Sequence, residues 1–287
     1  MTFAVRTALF AAYCLAVAAI NVRVLWALFE FSEANATASY VVLMPFVAAI
    51  LVYQEREEIF GSVALDRAGL VLVLAGAALG AVALVQPAAA AAELSGRVAS
   101  IVLLWAGGFL LLYGRDAARR ALFPMLMLAF TVPIPAPVLA VAVQALKEGS
   151  TEAVAALFTL TGTIYHRDGY VFSLPRVVIE IADECSGIRS SIGLFLTSLL
   201  AGHLFLKTAW TKGLLLVAVL PLAILKNAIR IVALTLLSVH VDPGFLTGQL
   251  HHEGGIVFFL LALALMMPIL ALLRGLEVPR TRLSRAG

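Results

Sequence analysis

The sequence predicts an all-α fold. It is a polytopic integral membrane bundle of about eight transmembrane helices, with a short extracytoplasmic hairpin ahead of Cys185. Three observations predict this. The 287 residues are 62% hydrophobic and only 13% charged, whereas soluble domains are about half apolar and about a quarter charged. Several apolar runs approach the ~20 residues needed to cross a bilayer. Lys and Arg concentrate in alternate short loops, as the positive-inside rule requires.

The predicted spans are 7–29, 38–53, 68–86, 98–113, 118–134, 186–206, 213–238 and 255–273. Basic residues mark the loops 54–67 (Arg56, Arg67), 114–120 (Arg115, Arg119, Arg120) and 207–212 (Lys207, Lys212), and the tail (Arg274, Arg280, Arg282, Arg285). The loops between them are poorer in cations: 30–37 carries Glu30 and Glu33, and 87–97 carries Glu93 and Arg97. Basic loops in the cytoplasm place both termini on the cytoplasmic side of a cell (inner) membrane, with 274–287 as a basic cytoplasmic tail. The N-terminus resembles a signal peptide, with Arg6 ahead of an apolar stretch, but it continues towards Phe29 without a cleavage pattern and reads as a retained helix. Cys14, inside that run, reads as a small packing side chain.

Residues 135–185 fit no simple span. Pro133, Pro135 and Pro137 end the fifth helix, because proline lacks an N–H and its ring clashes with the preceding turn. Residues 138–162 then read as one or two apolar helices, with Lys147, Glu148 and Glu152 between them, lying on the outer interface or re-entering it. Residues 163–182 alternate apolar and polar around Asp168-Gly169 and Pro175, which predicts a short outer β-hairpin. Such a hairpin could cover a site or hold an extended peptide by strand addition. No internal repeat is present, so residues 1–287 read as one membrane domain. The net charge of +3 serves topology and gives no reason to expect nucleic acid; membrane lipid is the implied partner.

Three polar signals interrupt this apolar chain. Asp183-Glu-Cys-Ser-Gly-Ile-Arg-Ser-Ser191 opens the sixth span, Asn227-Ala-Ile-Arg230 lies within the seventh, and His251-His-Glu-Gly-Gly255 precedes the eighth. Ionisable groups inside a membrane are costly and mark function by default. Cys185 stands at the outer start of its span. Arg230 lies roughly 25 Å along a span that begins inside, near the far side of an apolar core ~30 Å thick. His251 directly precedes a span that begins outside. A loop count made without these residues therefore puts all three near the extracytoplasmic face.

The residue types suit acyl transfer. A thiolate is the nucleophile, and a helix N-terminus favours it through unpaired N–H groups and positive potential. Arg230 would stabilise the thiolate or an oxyanion, and His251 would take the thiol proton and return it to a leaving amine. Ser186, Gly187 and Gly255 are small enough to admit a substrate backbone. Asn227 shares the helix face of Arg230. Arg189, four residues after Cys185, would bind a substrate carboxylate or pair with Asp183 or Glu184. His252 competes with His251 for the same role, and spacing to Gly255 selects the first. A metal alternative gathers His240, Asp242, His251, His252 and Glu253, but lacks a His-Glu-x-x-His spacing or paired cysteines. No cofactor is expected.

At these residues the chain resembles the exosortase/archaeosortase family. The match rests on Glu184-Cys-Ser-Gly-Ile-Arg189, Asn227-Ala-Ile-Arg-Ile231, and His251 four residues before Gly255-Ile-Val-Phe-Phe259, with the Pro133-Ile-Pro135 break also similar. It covers most of the chain and is strongest over 120–273. The resemblance implies Cys185 as nucleophile of a membrane cysteine transpeptidase or protease, with Arg230 and His251 as partners. It also implies the substrate: exported proteins with a C-terminal sorting signal of a short motif (typically Pro-Glu-Pro in bacteria), a membrane helix and basic residues. Those proteins would pass to a surface or exopolysaccharide-linked acceptor. The competing expectation is a polytopic transporter or assembly scaffold for surface polysaccharide, since a broken fifth helix and an intramembrane Arg230 also suit transport sites.

Overall fold

The computed structural model describes residues 2–85, 90–246 and 255–277, without the side chains of 90, 91, 184, 185, 243 and 246. The chain is an all-α membrane bundle with one small sheet, and it divides into two compact units, residues 1–139 and 140–287. Six helices among the described residues are long and apolar enough to cross a membrane.

In the first unit the expected 7–29 span is two helices, α1 (Phe3–Ile20) and α2 (Val22–Ala34). Asn21 breaks them: its side-chain amide and its backbone N–H both turn back to the Val17 carbonyl, satisfying the end of α1 locally. The 38–53 span is the shorter α3 (Met44–Gln54), started by Pro45 and followed by the single turn α4 (Arg56–Ile59). Helix α5 (Ala68–Val85) matches its expected limits within a residue. Helix α6 (Ala90–Arg120) absorbs most of the expected 87–97 loop, where Glu93 and Arg97 form an i,i+4 ion pair. It is kinked at Gly114, whose φ of 86° only glycine adopts readily. Ala64 and Asp66 donate their N–H groups to the Tyr113 and Leu111 carbonyls beside the kink. Arg115 pairs with Asp66 at 2.8 Å, and Arg120 donates to the Glu58 carbonyl at 2.7 Å. The two basic loops 54–67 and 114–120 therefore meet at one end of the unit.

Helices α5 and α6 pack backbone to backbone. A Cβ added to Gly69 would stand 2.3 Å from the Leu111 nitrogen, and one on Gly107 would stand 2.7 Å from the Val73 nitrogen. Ser100 bridges the pair by donating to the Gly76 carbonyl at 2.7 Å. Small residues at such crossings are what membrane helices use in place of a hydrophobic driving force. Helix α7 (Leu122–Ala129) ends the unit ahead of Pro133 and Pro135. A largely apolar cavity of about 910 Å³, lined by Phe10, Cys14, Val52, Phe109 and Met125 among others, opens between α1, α3, α6 and α7.

In the second unit the one or two helices expected over 138–162 are a single helix, α8 (Ala136–Leu160). Lys147, Glu148 and Glu152 interrupt hydropathy but not helicity, because both residue types are good helix formers. The predicted hairpin is a three-stranded antiparallel sheet: β1 (His166–Asp168), β2 (Val171–Ser173) and β3 (Val178–Glu180), in that order. Phe172 pairs with both Arg167 and Ile179, and it is buried with Phe158 of α8. Arg167 binds Glu152 at 2.6 Å and ties β1 to α8.

Three long helices complete the unit: α9 (Ile188–Phe205), α10 (Ala209–His240) and α11 (Gly255–Glu277). Their shared core includes Leu194, Ala201, Leu215, Ala223, Ala262 and Met266. The Glu277 carboxylate accepts the Lys207 and Thr208 N–H groups and the Thr211 hydroxyl, so the end of α11 caps the start of α10. At the other end of α9, Phe259 of α11 packs on Gly193. The start of α11 therefore lies at the end of the helix group where α9 begins.

Candidate functional site

The polar motif at Cys185 folds as a turn, not as the first turn of a helix. Asp183–Ser186 form a 3-10 turn, and Gly187 follows with φ 71° and ψ 19°, in the left-handed region. Helix α9 begins only at Ile188. Cys185 and Arg189, four residues apart, are therefore not on one continuous helix, because the backbone is interrupted at Gly187. Arg189 is exposed on the first turn of α9.

Three helices hold this turn. From α8, Lys147 binds Asp183 at 2.9 Å, with its ammonium 4.4 Å from the centre of the Tyr170 ring. The hydrogen bond from Lys147 to Asp183 raises its ammonium above the ordinary lysine range. From α9, the Ser190 and Ser191 hydroxyls both donate to the Gly187 carbonyl, at 3.0 and 2.9 Å. From α10, Asn227 and Lys226 press against Gly187: a Cβ there would stand 2.7 Å from Asn227 Oδ1 and 3.1 Å from Lys226 Nζ. Asn227 is fully buried and donates to the Ser150 hydroxyl of α8 at 3.0 Å. Gly149 allows that approach, with Ile224 of α10 seated where a side chain would be.

Ser186, next to Cys185, is fully buried, and its hydroxyl has no hydrogen-bond partner among the described residues. Arg230, half-buried, lies one helical turn beyond Lys226 on the continuous helix α10, on the same side as Asn227. The structure thus brings together Ser186, Gly187 and Asn227, with Arg230 on the same helix. The Cys185 side chain, His251 and His252 lie outside the described residues, as does Glu253; Gly255 is the first residue of α11. Of the residues in the metal alternative, Asp242 spends a carboxylate oxygen on the Gly244 N–H, a local turn bond.

Comparison with family models decides the class. A model of the transmembrane exosortase family matches residues 32–268. The chain belongs to that family. No curated protein and no solved structure matches it. The match to the exosortase model includes the Asp183–Ser186 turn, Asn227, Arg230 and His251, and with the long apolar helices it makes the chain a multi-pass membrane protein.

One residue packed against this turn is not singled out by the sequence motifs. Lys226 is only 2% exposed and donates to the Ser190 hydroxyl. The signal that finds it is its charge inside an apolar helix, the same signal that singles out Arg230.

Proposed function

We propose that this protein is a membrane cysteine transpeptidase or protease that removes the C-terminal sorting signal of exported proteins. The observation that carries the reading is the seat of Gly187 on Asn227. It fixes the turn containing Cys185 against the helix that carries Arg230, in a chain of the exosortase family. The end of the second unit that holds the turn faces the extracytoplasmic side of the inner membrane. Both termini are cytoplasmic.

In this reading Cys185 attacks the carbonyl carbon of a scissile peptide bond. A carbon–sulfur bond forms, and negative charge collects on the carbonyl oxygen. Arg230 and the N–H groups at the start of α9 stabilise that charge. His251, or its neighbour His252, takes the thiol proton and gives it to the departing amine as the carbon–nitrogen bond breaks. The thioacyl-enzyme then passes its acyl group to an amine or hydroxyl of a surface or exopolysaccharide-linked acceptor, or to water, and the thiol is restored. Asn227 orients Arg230 and the turn; Ser186, Gly187 and Gly255 give the substrate backbone room, and Arg189 meets a substrate carboxylate.

The sorting motif docks beside β3. That strand pairs only with β2 among the described residues, and it runs through Ile181 directly into the Cys185 turn. An extended peptide on its other edge would be led towards the thiol. Co-expression with a protein ending in motif, membrane helix and basic tail tests the reading. Processing should stop in Cys185→Ala and Cys185→Ser, while both variants insert normally. A transporter or scaffold would instead survive loss of Cys185 and fail on loss of Arg230.

A further inference from the structure

Lys226 has an environment that its packing alone does not explain. It is 2% exposed, in a membrane helix, where a buried ammonium is costly unless an opposite charge accompanies it. Among the described residues it has no carboxylate partner; its hydrogen bond goes to the neutral Ser190 hydroxyl. That hydroxyl in turn donates to the Gly187 carbonyl at 3.0 Å. The Lys226 Nζ also lies 3.1 Å from where a Cβ on Gly187 would stand. The cation is thus joined, by contact and through one hydroxyl, to the residue next but one to Cys185. It shares α10 with Arg230, and the N-terminus of α9 adds positive potential at the same place. One buried ammonium and a helix N-terminus at one neutral hydroxyl make a place that gains from a negative charge.

We propose that Lys226 is a positioning residue that supplies positive charge to the Cys185 turn, holding its geometry through Ser190 and favouring the Cys185 thiolate. The assignment rests on the reading of Cys185 as the nucleophile. Among the described residues, the other charged side chains on the elements bordering the turn are Arg230 on α10, Arg189 on α9, Lys147 on α8, Glu180 on β3 and Asp183; Glu184 belongs to the turn by sequence.

The test is the pH dependence of Cys185 alkylation by iodoacetamide in purified full-length protein, in a Cys14→Ala background that leaves one thiol. Lys226→Met removes the charge and keeps the stem. Lys226→Gln removes the charge and keeps an N–H donor for Ser190. Both also remove a buried cation, which favours retention of the fold. The parent should alkylate with a midpoint below the ordinary thiol value near 8.5, and both variants should raise that midpoint by about one pH unit. Unchanged midpoints in both would overturn the proposal. So would a Gln variant that keeps the parent midpoint, because the hydrogen bond and not the charge would then matter. The readout needs no turnover, so the two claims fail separately. Unmoved midpoints alongside a Cys185→Ser variant that cannot process sink the Lys226 assignment alone. Moved midpoints alongside a Cys185→Ser variant that processes normally sink the nucleophile and leave the charge effect standing.

Discussion

Gly187 and Asn227 touch so closely that no side chain fits between them: a Cβ on Gly187 would stand 2.7 Å from Asn227 Oδ1. Gly187 also sits at φ 71°, where a Cβ costs about 1–2 kcal/mol by itself. Gly187→Ala should therefore displace the Cys185 turn, and a displacement near 1 Å at a reacting group costs about 100-fold in rate. Gly169→Ala is the control. It has a similar φ of 57° but open space around it, so it should carry the backbone strain and leave processing intact. Processing kinetics with thermal unfolding in detergent separate the two effects.

The Ser150–Asn227 bond joins α8 to α10 in a fully buried setting. Ser150→Ala should lower stability by about 1 kcal/mol, the range of interhelical hydrogen bonds in membranes. Its larger effect should be on catalysis, because Asn227 then loses one of the bonds that hold it against Gly187. Measuring Tm and processing rate on the same preparation reads both.

Two ion pairs tie β1 and the Asp183 turn to α8, and their pH dependences have opposite signs. Lys147 is raised by its hydrogen bond to Asp183, so its tether is intact below the ordinary lysine pKa of 10.5 and is lost as pH rises through the higher folded value. Glu152 is lowered by its hydrogen bond to Arg167, so that tether is intact above 4.5 and is lost as pH falls through the lower folded value. Proteolytic nicking within residues 161–183 should rise outside this window on both sides. Lys147→Met should remove the alkaline change, and Glu152→Gln should reduce the acid one.

Gly107 meets the backbone of Val73 at the α5–α6 crossing. Gly107→Val should force the two helices apart and destabilise the first unit by about 1–3 kcal/mol, as overpacking does. Thermal unfolding in detergent reads the loss.

The parts of the fold that were legible in the sequence have a local physical cause. Pro133 and Pro135 cannot continue a helix, and the stretch between α7 and α8 is where they stand. The run at 68–86 has no competing signal and is α5. The break at Asn21 was not legible, because apolar residues continue on both sides and the helix ends on local bonds from Asn21 to the Val17 carbonyl. The third strand was hidden in Val177-Val178-Ile179, which alternation marks as β but not as paired to β2. At the site, Asn227 and Arg230 were legible as polar residues sharing a helix face. The interruption at Gly187 was not, since Ser-Gly-Ile reads equally well as the start of a helix. Lys226 was overlooked because its role depends on which part of α9 it reaches, and helical spacing does not contain that.

The proposed chemistry stands on acylation of Cys185. The most direct measurement is mass spectrometry of the protein trapped with a tailed substrate, with Cys185→Ala beside it. A thioester joining Cys185 to the substrate's new C-terminal carbonyl, absent from the Ala protein, is the predicted result. Removal of the tail at equal rates by both proteins, with no adduct on Cys185, would contradict it.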